Sequence, residues 1–203
     1  MKKYVNLFVF VFMIGACLSQ GRAQTKSAVS YKNPVVDIAM PDPTVIKAAD
    51  GYFYVYATES TRNVPIMKSK DLVEWTYCNT AFTNKTRPRF EPKAGIWAPD
   101  INYINGKYVL YYAMSVWGGE QTCGIGVATA NSPQGPFTDH GKMFRSNEIG
   151  VQNSIDPSLL QYEGRNYLVW GSFRGIYVIE LTADGLSIMS GAKKKRIAGT
   201  AFE

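Results

Sequence analysis

Apolar and aromatic residues in this chain come in short runs, each opened by a glycine turn. Tyr52-Phe-Tyr-Val-Tyr-Ala-Thr58 follows Asp50-Gly51, Tyr108-Val-Leu-Tyr-Tyr-Ala-Met114 follows Asn105-Gly106, and Tyr167-Leu-Val-Trp-Gly-Ser172 follows Glu163-Gly164. The first two are nearly continuous in apolar side chains, as strands covered on both faces should be. No segment of the mature chain sustains a helical period, so the pattern predicts an all-β fold.

The runs belong to a repeat. Pro41-Asp42-Pro43-Thr44-Val45 precedes the first, Pro99-Asp100-Ile101 the second, and Asp156-Pro157-Ser158 the third. Each unit reads as a carboxylate, a short apolar strand, a turn and an aromatic strand. Two further strands are predicted per unit. These are Val64–Ser69 with Trp75–Cys78, Gly124–Thr129 with Phe137, and Ile176–Leu181 with Leu186–Ile188. Four antiparallel strands make a β-propeller blade, here with a period longer than the common propeller repeats. Residues 41–203 supply about three blades and the start of a fourth, whereas closure needs about four to eight. The expectation is therefore a C-terminally truncated fragment, breaking off at Thr200-Ala-Phe-Glu203 inside the next blade, and inactive by itself.

The first residues stand outside this pattern. Lys2 and Lys3 precede the apolar run Val5–Leu18, and Gly21-Arg22-Ala23 forms a small-x-small cleavage signal. Residues 1–23 thus read as a signal peptide, 24–32 as a linker and 33–203 as the partial propeller. Export to the medium or periplasm is expected. The alternative is a surface or outer-membrane lipoprotein, because Ile14-Gly15-Ala16-Cys17 resembles a lipoprotein box with Cys17 as the lipidated residue.

The formal charge of +6 includes Lys2, Lys3 and Arg22, so the mature chain falls to about +3 and gives no reason to expect a nucleic-acid partner. The basic run Lys193-Lys-Lys-Arg196 reads as a solvated turn. Cys78 and Cys123 lack the spacing of a disulfide framework, which leaves pairing and two free thiols both open. The lone histidine, His140, sits in the polar stretch Thr138–Gly141. A Ser-His-Asp or Cys-His centre, or a zinc cluster, has little to draw on.

What remains is carboxylates. The first strands of propeller blades start at one end of the axis, so Asp42, Asp100 and Asp156 are expected to converge on one funnel, with Glu203 opening the fourth. Any one of them is explained by turn chemistry alone. Three at one repeat position, among aromatics, are better explained by a site. Carboxylates without a histidine, reactive cysteine or metal cluster suit glycosidic bond hydrolysis, which needs one to activate water and one to protonate the leaving oxygen. Trp97 and Trp117 are candidate sugar platforms, with core packing as the competing reading.

Together, Pro41-Asp-Pro-Thr44, Trp97-Ala-Pro-Asp100, Asn153-Ser-Ile-Asp-Pro157 and Trp170-Gly-Ser-Phe173 resemble glycoside hydrolase family 43 from about Asn33 to Glu203. The Asn153–Pro157 motif with Gly171–Ile176 is most similar to its arabinanase branch. The resemblance implies a five-bladed β-propeller and an inverting enzyme acting on α-1,5-L-arabinan. It implies Asp42 as general base, Asp156 as the residue that orients and tunes the acid, and Glu203 as general acid. Trp97, Trp117 and Ser172 fall where members contact sugar, with Asp100 and Asn153 as weaker polar candidates. A calcium ion near the axis is also implied, held through a late histidine beyond Glu203; no metal ligands are assigned within this chain. The rival readings are an exo-acting α-L-arabinofuranosidase or β-xylosidase, which would take arabinoxylan-type polymers, and a non-catalytic carbohydrate-binding propeller.

Overall fold

A computed structural model describes residues 30–199. The predicted signal peptide, Cys17 and Glu203 lie outside the described residues, as does most of the predicted linker. Among the described residues no helix is long and apolar enough to cross a membrane.

The described residues form three four-stranded antiparallel sheets, and the fold is a partial β-propeller. The first contains β1 (Thr44–Lys47), β2 (Phe53–Tyr56), β3 (Pro65–Ser69) and β4 (Thr76–Thr80). The second contains β5 (Gly95–Ile104), β6 (Lys107–Ser115), β7 (Gly124–Ala130) and β8 (Thr138–Arg145). The third contains β9 (Ser158–Tyr162), β10 (Arg165–Ser172), β11 (Gly175–Glu180) and β12 (Lys195–Ala198). One turn of helix, α1 (Ser146–Ile149), follows β8.

Each blade is a meander whose turns supply the left-handed backbone that a tight reversal needs. Gly51, Gly106 and Gly164 all have positive φ, and each sits where the pattern placed a hairpin. The blades stack face to face through two cores. Tyr54, Tyr56 and Ile66 of the first meet Ile96, Leu110, Tyr112 and Met114 of the second. Val109, Tyr111, Ile125 and Val127 of the second meet Leu168, Trp170 and Ile179 of the third. Strand β6 therefore gives alternate residues to opposite cores, which is why Tyr108–Met114 is apolar throughout.

Two strand expectations are corrected. The fourth strand of the third blade is not Leu186–Ile188, which makes only the isolated bridge Leu181↔Ile188. It is β12, built from the end of the basic run and paired Tyr177↔Arg196 and Val178↔Lys195. The run is an outer edge strand rather than a turn, and lysines suit such an edge because they discourage pairing with another sheet. Cys78 and Cys123 are both free, on different blades.

A buried ion pair fixes the loop after β2. Glu59 and Arg87 meet in a two-fold contact with side chains only 9% and 7% exposed. Glu59 also accepts from the Asn63 and Ile96 amides at 2.7 and 2.9 Å. Burial alone would push its carboxyl up; the Arg87 and amide hydrogen bonds outweigh burial and hold it below the ordinary 4.5. A lowered folded-state value means the stabilisation is present above about pH 4.5 and fades as acid protonates Glu59. Arg87→Ala leaves a buried charge without its partner and should cost about 3–5 kcal/mol in urea unfolding at pH 7. Its deficit against the natural protein should shrink below about pH 4.5, and a deficit unchanged by acid would show that the ion pair is not its source.

Candidate active site

The first strands begin, and the second strands end, at one end of the blades. There a cavity of about 650 Å³ opens. Its walls include Asp42, Trp97, Trp117, Asn153, Asp156 and Ser172, six of the residues singled out in the sequence.

The carboxylates reach it through an unusual backbone. Asp42 and Asp156 each precede a proline and each have left-handed φ, 49° and 55°. Non-glycine residues enter this region at a cost, and such strain gathers at functional sites. In the second blade the residue with this geometry is Ala98, φ 38°, before Pro99. Strand β5 bulges there, its register stepping from Trp97↔Ala113 to Asp100↔Tyr111. A bulge is a place where proline's missing amide is tolerated in a sheet.

Asp100 is accordingly not the repeat partner of Asp42, and it does not line the cavity. It lies after its proline, where Asp42 and Asp156 lie before theirs. Its Oδ2 accepts from the Leu159 amide of β9 and from Asn102 Nδ2, both at 2.7 Å. Burial pushes its carboxyl up against these hydrogen bonds. Its neighbour Ile101 donates to Thr44 Oγ1 of β1 at 3.3 Å, so this segment ties the first strands of three blades together.

Asp42 is exposed to the cavity and accepts a 2.7 Å hydrogen bond from Thr58 Oγ1. Asp156 also opens on the cavity. Partial desolvation by the walls, and then the charge of Asp42, push its carboxyl above the ordinary value of 3.8. Both carboxylates line the one cavity, so they share a site.

Trp97 and Trp117 stand with ring centroids 5.5 Å apart and planes tilted by 50°. Trp117 is 94% exposed and lines the cavity, so core packing does not account for it. Trp97 lies against its own strand because position 95 is glycine; a methyl there would stand 2.5 Å from Trp97 Nε1. Asn153, φ 56°, is buried, and its amide donates to the Glu120 carbonyl at 2.7 Å. Ser172 Oγ accepts from the Arg174 amide at 3.3 Å.

The cavity also has residues that the sequence did not signal. Glu120 Oε2 receives Gln152 Nε2 at 2.6 Å and two Arg174 nitrogens at 3.1 and 3.2 Å. The Arg174 guanidinium lies 5.0 Å from the centre of the Phe173 ring, and Phe173 is another exposed aromatic on the rim. Among the described residues, no three His, Cys, Asp or Glu side chains come together to hold a metal. His140 hydrogen-bonds Thr129 at 2.8 Å on the outer strands of the second blade. The donors for the calcium implied by resemblance are thus not found among the described residues.

Three comparisons bear on the site. The extracellular endo-α-(1→5)-L-arabinanase 1 of Bacillus subtilis is 38% identical over 140 residues, covering 65% of this chain and 43% of that protein. An α-L-arabinanase of Cellvibrio cellulosa, solved with arabinohexaose, superposes with a TM-score of 0.69 at 27% identity, over 80% of this chain and 54% of that one. An exo-1,5-α-L-arabinanase from a bovine ruminal metagenomic library superposes with a TM-score of 0.65 at 29% identity, over 81% and 57%. The chain thus spans less than half the length of that Bacillus relative. The model of the glycosyl hydrolases family 43 matches residues 31–203, every blade and both cavity carboxylates included, and the chain belongs to that family.

Proposed function

We propose that the protein carrying this chain is an exported enzyme that hydrolyses α-1,5-linked L-arabinan with inversion at the anomeric carbon. The observation that carries the reading is the shared site of Asp42 and Asp156, which line one cavity together with the exposed Trp117. Two carboxylates and aromatic platforms are the furniture of glycoside hydrolysis, and the named relatives act on arabinan.

Asp42 is the general base. Its hydrogen bond from Thr58 is one that an ionised carboxylate accepts well. Asp156, desolvated beside Asp42, tunes and orients the acid rather than attacking the sugar. Glu203 is the acid, on the family pattern. In an inverting enzyme the base and acid stand about 6.5–9.5 Å apart, leaving room for the attacking water. Trp97 and Trp117 bind sugar faces, while Ser172 and Asn153 are polar contacts from the cavity lining. No step is assigned to calcium.

The test is the product of the complete natural protein on linear arabinan, followed by proton NMR in the first minutes. The expected first anomer is the inverted β form, with arabino-oligosaccharides of several lengths. A first-formed α anomer would overturn inversion, and no release from arabinan would overturn the substrate. The likeness to an exo-acting arabinanase favours a second reading, which a single short product released from the outset would support.

A further inference from the structure

The two cavity carboxylates occupy the same position of their blades, yet among the described residues one is hydrogen-bonded and the other is not. The cause lies on the neighbouring strand. Thr58 donates its amide to the Pro41 carbonyl at 2.9 Å, and Gly171 donates its amide to the Ile155 carbonyl at 3.0 Å. Thr58 and Gly171 are therefore repeat-equivalent, each opposite the residue before its carboxylate. In the first blade this place carries a hydroxyl. In the third it has no side chain at all, and a Cβ at Gly171, φ 143°, would collide with the Gly175 carbonyl oxygen. The Asp156 carboxyl has no hydrogen bond among the described residues, while Asp42 has Thr58.

The Thr58 hydroxyl is itself oriented. It accepts the Ala98 amide at 2.7 Å, and that amide is presented by the left-handed turn at Ala98. A hydroxyl carries one proton, so with Ala98 on its lone pair the proton is directed to Asp42 Oδ2. Thr58 is anchored from behind by Glu59, whose amide donates to the Ile96 carbonyl at 3.1 Å and whose carboxylate is locked to Arg87.

We propose that Thr58 is a positioning residue for hydrolysis: its oriented hydroxyl occupies Oδ2 of Asp42 and so reserves Oδ1 for the proton of the attacking water. The unequal pair Thr58 and Gly171 is then what assigns the roles, the clamped carboxylate as base and the unclamped one as modulator. The inference rests on Asp42 being the base.

The experiment uses the complete natural protein on linear arabinan. Thr58→Val keeps the branched shape and removes the hydroxyl. It should lower kcat about 10- to 100-fold, the worth of one hydrogen bond to a charged group, and leave KM within about two-fold. Thr58→Ser should restore kcat to within a few-fold. In an Asp42→Ala background, Thr58→Val should have no further effect on the residual rate, since its partner is gone. Wild-type kcat in Thr58→Val would overturn the inference, as would an undiminished effect in the Asp42→Ala background or failure of Thr58→Ser to recover. Full activity of Asp42→Ala alone would instead overturn the underlying assignment of the base. Thermal unfolding of each variant separates a positional loss from a loss of fold.

Discussion

Asp42→Ala in the complete natural protein should remove the proposed arabinan hydrolysis, with kcat falling at least about 10²- to 10⁴-fold, the usual contribution of a positioned base. The reason is geometric. Asp42 opens on the cavity that Asp156 also lines, and is held there by Thr58. Its removal leaves Trp97 and Trp117 in place, so oligosaccharide binding measured by calorimetry should persist while turnover disappears. Loss of both together would mean that Asp42 holds the cavity's shape. Retained turnover would move the base elsewhere.

The second large effect falls on Glu203. Glu203→Ala should lower turnover of linear arabinan by about 10²- to 10⁴-fold, because an unprotonated sugar alkoxide is a poor leaving group. An aryl arabinoside whose phenol leaves readily needs little acid assistance, so the variant should regain much of its rate on that substrate. Asp42→Ala should regain none, since water activation is needed whatever the leaving group. Opposite responses to one change of substrate separate acid from base. Equal responses would mean that Glu203 is not the acid.

Much of this was legible before any coordinates. The glycine turns and aromatic runs marked the hairpins, and the unbroken apolar stretch Tyr108–Met114 announced a strand with cores on both sides. Of the four carboxylates expected at one funnel, Asp42 and Asp156 line the cavity, Asp100 does not, and Glu203 lies outside the described residues. The repeat was misaligned at its middle copy because it was aligned on the carboxylate. What recurs physically is a left-handed residue before proline: Asp42-Pro43, Ala98-Pro99, Asp156-Pro157. The prolines carried that signal, and alignment on them would have set Asp100 apart. The basic run misled because a charged stretch reads as solvated whether it is turn or edge strand, and only its partner Tyr177 decides. Glu120 and Thr58 were missed for another reason. Glu120 depends on Arg174, and Thr58 on Ala98, both distant in sequence and brought near only by blade stacking.

Strand β6 has a consequence for how this protein can vary. Its alternate residues are committed to two cores at once, and Tyr111 also donates its hydroxyl to the Gly185 carbonyl at 2.8 Å. A change of volume anywhere along it disturbs the seam between the first two blades or the seam between the last two. The outer strands β4 and β12 carry mostly exposed or half-exposed side chains and no such double obligation. Among the described blades, substitutions are therefore absorbed at the outer strands and rationed along β6, the strand that leads into the wall carrying Trp117.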